Sequence, residues 1–204
     1  MWPPAPKRLC CLKKGDLTAL DDVARRLQRL EDIHEIEQLA VRYAMAVDDR
    51  DIDAWLELFA PDVIVGKGRR GREALREFIV PNLQKFYRSI HLISGHRVDL
   101  HTSDQATGAV YCRAEHEVGG RWIVIAIRYD DEYSKVDGRW YFTRRKDKHW
   151  YETDLPDRPQ DAGFHDWASA PARPCLPEPT ASWTSFWDGV DITELSAAPV
   201  QPTD

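Results

Sequence analysis

Between Leu17 and Val47 the apolar positions Leu20, Val23, Leu27, Leu30, Ile33, Ile36, Leu39, Tyr43 and Val47 recur at intervals of three and four. That period predicts amphipathic helix. Asp32 followed by Glu35 has the spacing of a helix start, so a break is expected near Leu30. Asp51 or Asp53 is placed to cap a second helix over DAWLELF, which Pro61 should stop. DVIV then reads as a short strand and GKGRRG as a turn. A third helix, REALREFIV, follows and should end at Pro81.

After Tyr87 the period falls from near 3.6 to 2. Four runs rich in β-branched and aromatic residues follow: SIHLISGHRVDL, QATGAVYCRAEHEV, RWIVIAIRYDDEYSKV and RWYFTRRKDKHWYE. Gly119-Gly120 and Asp137-Gly138 separate the later runs, and both dipeptides favour tight hairpin turns. Helices first and then an antiparallel meander give an α+β class, with the helices against one face of a curved sheet. Beyond Leu155 the composition shifts to Pro, Ala and Ser. The expected organisation is a disordered leader over 1–15, one domain over 16–155, and a Pro-rich tail over 156–204. The tail carries Trp167, Trp183, Phe186 and Trp187, too many large aromatics for a purely solvated segment, so it should dock in part.

Composition narrows the function. The chain has 204 residues, 43% of them hydrophobic, and a net charge of -6. A normal core is affordable, and nucleic acid or an anionic membrane is disfavoured as a partner. No apolar run reaches the roughly 20 residues that span a bilayer. The basic N-terminus lacks the apolar stretch of a signal peptide, so a cytoplasmic location is expected. Cys10, Cys11, Cys112 and Cys175 are spaced neither as a disulfide framework nor as a zinc site.

Alternation sorts the polar residues by face. In the second long run, Val110, Cys112, Ala114, His116 and Val118 share the apolar face, while Tyr111, Arg113, Glu115 and Glu117 lie opposite. His116 therefore points towards whatever the sheet encloses, either as a core histidine with a partner or as a site residue. His91, His96 and His101 are five apart, so in a regular strand His96 points away from the other two. That geometry gathers no metal, and no metal site is expected. Asp48, Asp49 and Asp51 crowd the end of the first helix. Asp48 either solvates that end, where a carboxylate opposes the helix dipole, or faces inward.

The order of these features is similar to a known family. Tyr43 and Asp48 end the first helix, DIDAWLELFAPDV follows, a strand carries IHLISGHRV, and YDDEYSKVDGRWYF closes the series. Over about residues 30–152 this resembles the SnoaL-like branch of the nuclear-transport-factor-2-like superfamily, and in particular its dehydratase and dehydrochlorinase members. The resemblance implies a cone-shaped α+β barrel around a deep pocket. It pairs Asp48 with His91 and sets Tyr43 in the same pocket. His116 and His149 are candidate substrate contacts from the later strands, where the match is looser, and Trp55 is a candidate for the apolar wall.

The implied activity is that of a cofactor-independent lyase or isomerase of the dehydratase or dehydrohalogenase type. A histidine base suits proton removal from carbon near neutral pH. A carboxylate on one ring nitrogen fixes the tautomer and favours the imidazolium, and a phenol can donate to a carbonyl or leaving group. The expected partner is a small hydrophobic, cyclic substrate, with the chain forming a homo-dimer or homo-trimer. The alternative is a non-catalytic member of the fold, such as the small subunit of a ring-hydroxylating dioxygenase or a ligand-binding protein.

Overall fold

The computed structural model describes residues 14–156 and 180–195. Helix α1 runs Lys14–Asp48, α2 Ile52–Glu57 and α3 Arg72–Leu83. A small hairpin, β1 (Ile64–Gly66) and β2 (Arg69–Arg70), separates α2 from α3. The four long strands are β3 Ser89–Leu100, β4 Gln105–Val118, β5 Arg121–Val136 and β6 Arg139–Asp154, and α4 is Ala181–Trp187. The sheet is a plain antiparallel meander in the order β3-β4-β5-β6. It is an open, bent sheet with helices on one face, so its edges β3 and β6 do not meet.

The break expected near Leu30 is absent, and α1 is one helix of 35 residues. Asp32 does not cap a new start. Its carboxylate accepts from the Trp140 indole (3.0 Å) and from Lys135 (2.7 Å), tying the middle of α1 to the β5-β6 hairpin. Helix α2 stops before Pro61 because the backbone of Leu58 and Ala60 turns to bond Phe142 on β6. Asp51 caps α2, its Oδ1 accepting from the Ala54 amide at 3.0 Å. Pro81 removes one helical donor without ending α3. The helix runs on to Leu83, whose side chain is buried in the core.

Asp137-Gly138 makes a tight hairpin with both residues at positive φ, 50° and 80°. The core lies between the inner sheet face and α1–α3, centred on Ile36, Leu39, Trp55, Phe59, Trp140 and Phe142. A fully buried side chain of this size contributes about 1.5–3 kcal/mol.

In the four-stranded sheet regular alternation fails at three β-bulges, and each one reverses which residues face inward. Ile93 pairs with Cys112 but Gly95 with Tyr111, so Ser94 is extra. Beyond it, His96 pairs with the fully buried Val110 and turns inward, contrary to the expectation that it points away from His91. On β6, Thr143 and Trp150 are the extra residues. The inward set passes from Trp140 and Phe142 to Arg145, Asp147 and His149. Glu117, expected on the outer face, is completely buried and paired with Arg88.

Part of the C-terminal region docks. Trp183 and Trp187 of α4 are buried against Tyr87, with ring centroids 5.4 and 5.6 Å from it. The Gly119 amide donates to the carbonyl of Leu195 at 2.7 Å. Trp167, the leader up to Lys13, and Cys10, Cys11 and Cys175 fall outside the described residues.

Candidate functional site

Helix α1 ends in a Schellman arrangement. The Asp51 amide bonds the Ala46 carbonyl (2.9 Å) and the Arg50 amide bonds that of Val47 (3.1 Å). Arg50 takes the left-handed position that glycine usually fills, with φ 56°. This sharp stop leaves Asp48 on the last turn, turned towards the start of β3. Its Oδ1 lies 2.7 Å from His91 Nδ1 and accepts from Ser89 Oγ at 2.8 Å. Its Oδ2 accepts from the His91 backbone amide at 2.8 Å. Three donors on one carboxylate answer the helix-dipole mismatch, and Asp48 is a positioned group. Asp49 and Asp51 play other parts: Asp51 caps α2, and the Asp49 carbonyl accepts from Ser182 Oγ at 2.8 Å.

Arg50 stands behind this pair. Its Nη1 donates to Ser89 Oγ (2.9 Å) and the Val47 carbonyl (2.6 Å), and its Nη2 to the Tyr87 carbonyl (2.9 Å). The guanidinium lies between the rings of Phe86 (5.1 Å) and Trp183 (4.9 Å). Burial pulls its pKa down to about 9, a fall that nearby Asp48 opposes.

His91 opens onto a cavity of about 540 Å³. With Nδ1 engaged by Asp48, the free edge of the ring carries Nε2. Tyr43, Trp55, His116 and His149 line the same cavity, so the space collects every proposed pocket residue, with Asp48 behind His91. Trp55 packs 5.7 Å from Tyr43 as part of the apolar wall. His149 sits at the exposed rim, 3.1 Å from Asp147. Among the described residues no group of three or more His, Cys, Asp or Glu side chains is placed to hold a metal.

The two inner histidines differ in kind. The His116 ring stands edge-on to His91, centroids 5.6 Å apart, and packs on Phe86 at 4.3 Å. Burial, helped by His91 and Arg50, drives its pKa down to about 3, so it is neutral near pH 7. His91 has a carboxylate on Nδ1, and among the described residues His116 has none in its hydrogen-bond shell. The Tyr43 phenol, half-buried in the cavity wall, has its pKa raised by burial and keeps its proton.

Sequence reasoning passed over Arg145. Its guanidinium stacks 4.2 Å from the Tyr43 ring and 4.0 Å from that of Tyr129, with Nε 3.1 Å from Asp131. Nη1 and Nη2 are buried without a hydrogen-bond partner among the described residues, and the side chain lines the cavity. Burial opposes its charge, but Asp131 and the phenols of Tyr43, Tyr129 and Tyr133 raise its pKa above the ordinary arginine value. Asp131 is held in turn by the Tyr133 hydroxyl (2.9 Å), which lies 3.0 Å from His96 Nε2. Tyr129, Asp131 and Tyr133 alternate on one face, and an acid placed among buried tyrosines calls for a cation. That was the available signal.

The fold has counterparts. The hexachlorocyclohexane dehydrochlorinase LinA-type3 from Novosphingobium barchaimii is 25% identical with a TM-score of 0.57, covering 65% of this chain and 96% of its own. A proposed aromatic ring hydroxylase from Novosphingobium aromaticivorans is 26% identical with a TM-score of 0.54, covering 62% and 94%. A proposed scytalone dehydratase from the same species shares the fold at 23% identity and a TM-score of 0.56, covering 64% and 92%. No curated protein sequence matches the chain. The SnoaL-like domain model matches residues 28–146, more than half of the sequence, and the chain belongs to the SnoaL-like family.

Proposed function

We propose that this protein is a cofactor-independent lyase or isomerase that removes a proton from carbon in a small hydrophobic, cyclic substrate. The observation that carries the reading is the 2.7 Å contact of His91 Nδ1 with Asp48 Oδ1, placed so that Nε2 meets an apolar cavity. Nε2 of the neutral ring takes the substrate proton, and Asp48 balances the imidazolium that results. The C–H electron pair becomes the new double bond. In an elimination, the leaving oxygen or halide departs with its own pair towards the Tyr43 hydroxyl and the Arg145 guanidinium. In an isomerisation, the same two donors hold the enolate oxygen until the imidazolium returns its proton to another carbon. His116, neutral and without a carboxylate, serves as a contact for the substrate. The similarity to a dehydrochlorinase supports the elimination branch.

The test uses halide release from hexachlorocyclohexane and deuterium uptake from D₂O into a panel of cyclic ketones and hydroxyketones. His91→Ala should lower whichever activity is found by about 100- to 10,000-fold. Asp48→Asn should keep the fold and also lower turnover strongly, since an amide does not offset the imidazolium charge. Turnover near the wild-type rate in either variant overturns the reading. If the panel binds without exchange or elimination, a ligand-binding role or a dioxygenase small-subunit role takes its place. The structural similarity to a proposed ring hydroxylase would support that second role.

A further inference from the structure

Helix α1 carries two apolar faces, and among the described residues only one of them is covered by the domain. Ile36, Leu39, Ala40 and Val47 are buried in the core. Leu27 is nine residues from Ile36, which places the two about 180° apart around the helix axis. On that far side Leu20, Val23, Leu27 and Leu30 are 53, 58, 55 and 64% exposed. Val41 and Met45 continue the same side further along, and they too are exposed. Every residue from 20 to 31 is exposed, and the first anchored position is Asp32. The stretch from Lys14 to Glu31 thus projects about 27 Å beyond the domain at 1.5 Å per residue.

A helix of that length standing alone in water is marginal, and four large apolar side chains along it favour a partner. Leu20, Val23, Leu27 and Leu30 are spaced by three, four and three, the a and d positions of a coiled coil. In that register Arg26 occupies a g position and Glu31 the e position of the following heptad. In a parallel coiled coil, g of one helix meets e of its neighbour five residues on. Arg26 therefore meets Glu31 of a second copy, and by symmetry the reverse pair forms as well. Both side chains are exposed.

From this we infer that the chain self-associates in solution through a parallel, in-register coiled coil of α1, sealed by reciprocal Arg26–Glu31 pairs. The occupant of the stripe is another copy of the same helix. The outer sheet face, where Ile90, Leu92 and Tyr111 are exposed, is not needed for it.

Sedimentation equilibrium of the full chain at micromolar concentration tests this, with circular dichroism to check folding. The wild type should be a dimer or a higher assembly. Leu27→Asp combined with Leu30→Asp should give a folded monomer, since neither side chain belongs to the core. Arg26→Glu should weaken association about tenfold by setting acid against acid, and adding Glu31→Arg should restore it. A monomeric wild type overturns the proposal, including the case in which another segment of the same chain covers the stripe. An assembly that survives the double aspartate variant, or a charge swap that restores nothing, overturns it equally.

Discussion

Two buried arginines flank the cavity, and their hydrogen bonds differ in a way that separates support from chemistry. Arg50, behind the Asp48–His91 pair, spends Nη1 and Nη2 on Ser89 and on backbone carbonyls of Val47, Phe86 and Tyr87. Arg145, across the cavity, has one ion pair through Nε, while Nη1 and Nη2 have no hydrogen-bond partner among the described residues. Buried polar groups are nearly always partnered, and a guanidinium with two idle nitrogens beside a cavity is set to receive something. Arg50 also occupies a left-handed backbone position at a cost of about 1–3 kcal/mol for a non-glycine residue. Its side-chain bonds account for the retention of arginine where glycine would fit more easily.

The sharpest way to break the comparison is to remove each guanidinium in turn. Arg50→Met leaves several carbonyls and Ser89 without their donor and takes a cation from beside Asp48. Denaturant unfolding should show a loss of about 3–5 kcal/mol, the scale for breaking a buried charge interaction. Arg145→Met should instead lower turnover by about 100- to 1000-fold, as expected for removing a donor that meets developing charge. It also strands Asp131, so stability falls with it. Adding Asp131→Leu should recover stability while turnover stays low. If that double variant recovers turnover, Arg145 is a structural partner of Asp131 and the contrast with Arg50 fails.

Most of the frame was legible in the sequence. The starts of β3, β4 and β5 coincide with the expected runs, because β-branched alternation and turn dipeptides act locally. The Asp48–His91 contact was legible through the family resemblance, and the periodic pattern had left Asp48 open between a solvated helix end and an inward position. Arg145 was not. Strict alternation from Trp140 and Phe142 sets Arg144 inside, and the extra residue at Thr143 replaces it with Arg145. Ser94 does the same for His96. A bulge is a property of two paired strands, and a single-strand period carries no trace of it. Arg50 was hidden for a related reason: DDRD reads as a polar turn, and all but one of the groups that accept from its guanidinium come from the chain 36 to 39 residues later.

Each arginine also has a histidine that it helps to keep neutral, which offers a finer comparison. His116 is brought to about 3 by burial, His91 and Arg50, and His96 to about 4 by burial and Arg145. Both folded values lie below the ordinary value of about 6.5. Above that pH neither state binds a proton and the groups do not affect stability. As pH falls below it, the unfolded chain takes protons that the folded one refuses, so stability declines until the folded values are reached. Denaturation midpoints should therefore fall between pH 7 and pH 4. His116→Asn should shrink that fall. Proton NMR titration should show His116 moving up in Arg50→Met and His96 moving up in Arg145→Met. Movement of both histidines in either variant would mean that the two ends of the cavity share one field.

The smallest expected effect concerns α4, which packs beside Arg50. Trp183 covers the Arg50 guanidinium at 4.9 Å and packs on Tyr87, while the neighbouring Ser182 hydroxyl donates to the Asp49 carbonyl. A cation over an indole is worth about 0.5–2 kcal/mol, depending on how far water is excluded. Arg50 keeps its hydrogen bonds to α1 and β3 when the indole is removed, so its position should loosen without being lost. Trp183→Ala should then lower the melting temperature by several degrees, since about 1 kcal/mol corresponds to about 2–4 °C in a chain of this size. Amide exchange should quicken at Asp49, Arg50 and Asp51, the residues that form the turn beneath α4, and turnover should fall only a few-fold. A loss of turnover as large as that of Asp48→Asn, with the melting temperature unchanged, would make α4 part of the catalytic geometry. Unchanged exchange at Asp49–Asp51 would instead make the docked helix a passenger, leaving Arg50 held by α1 and β3 alone.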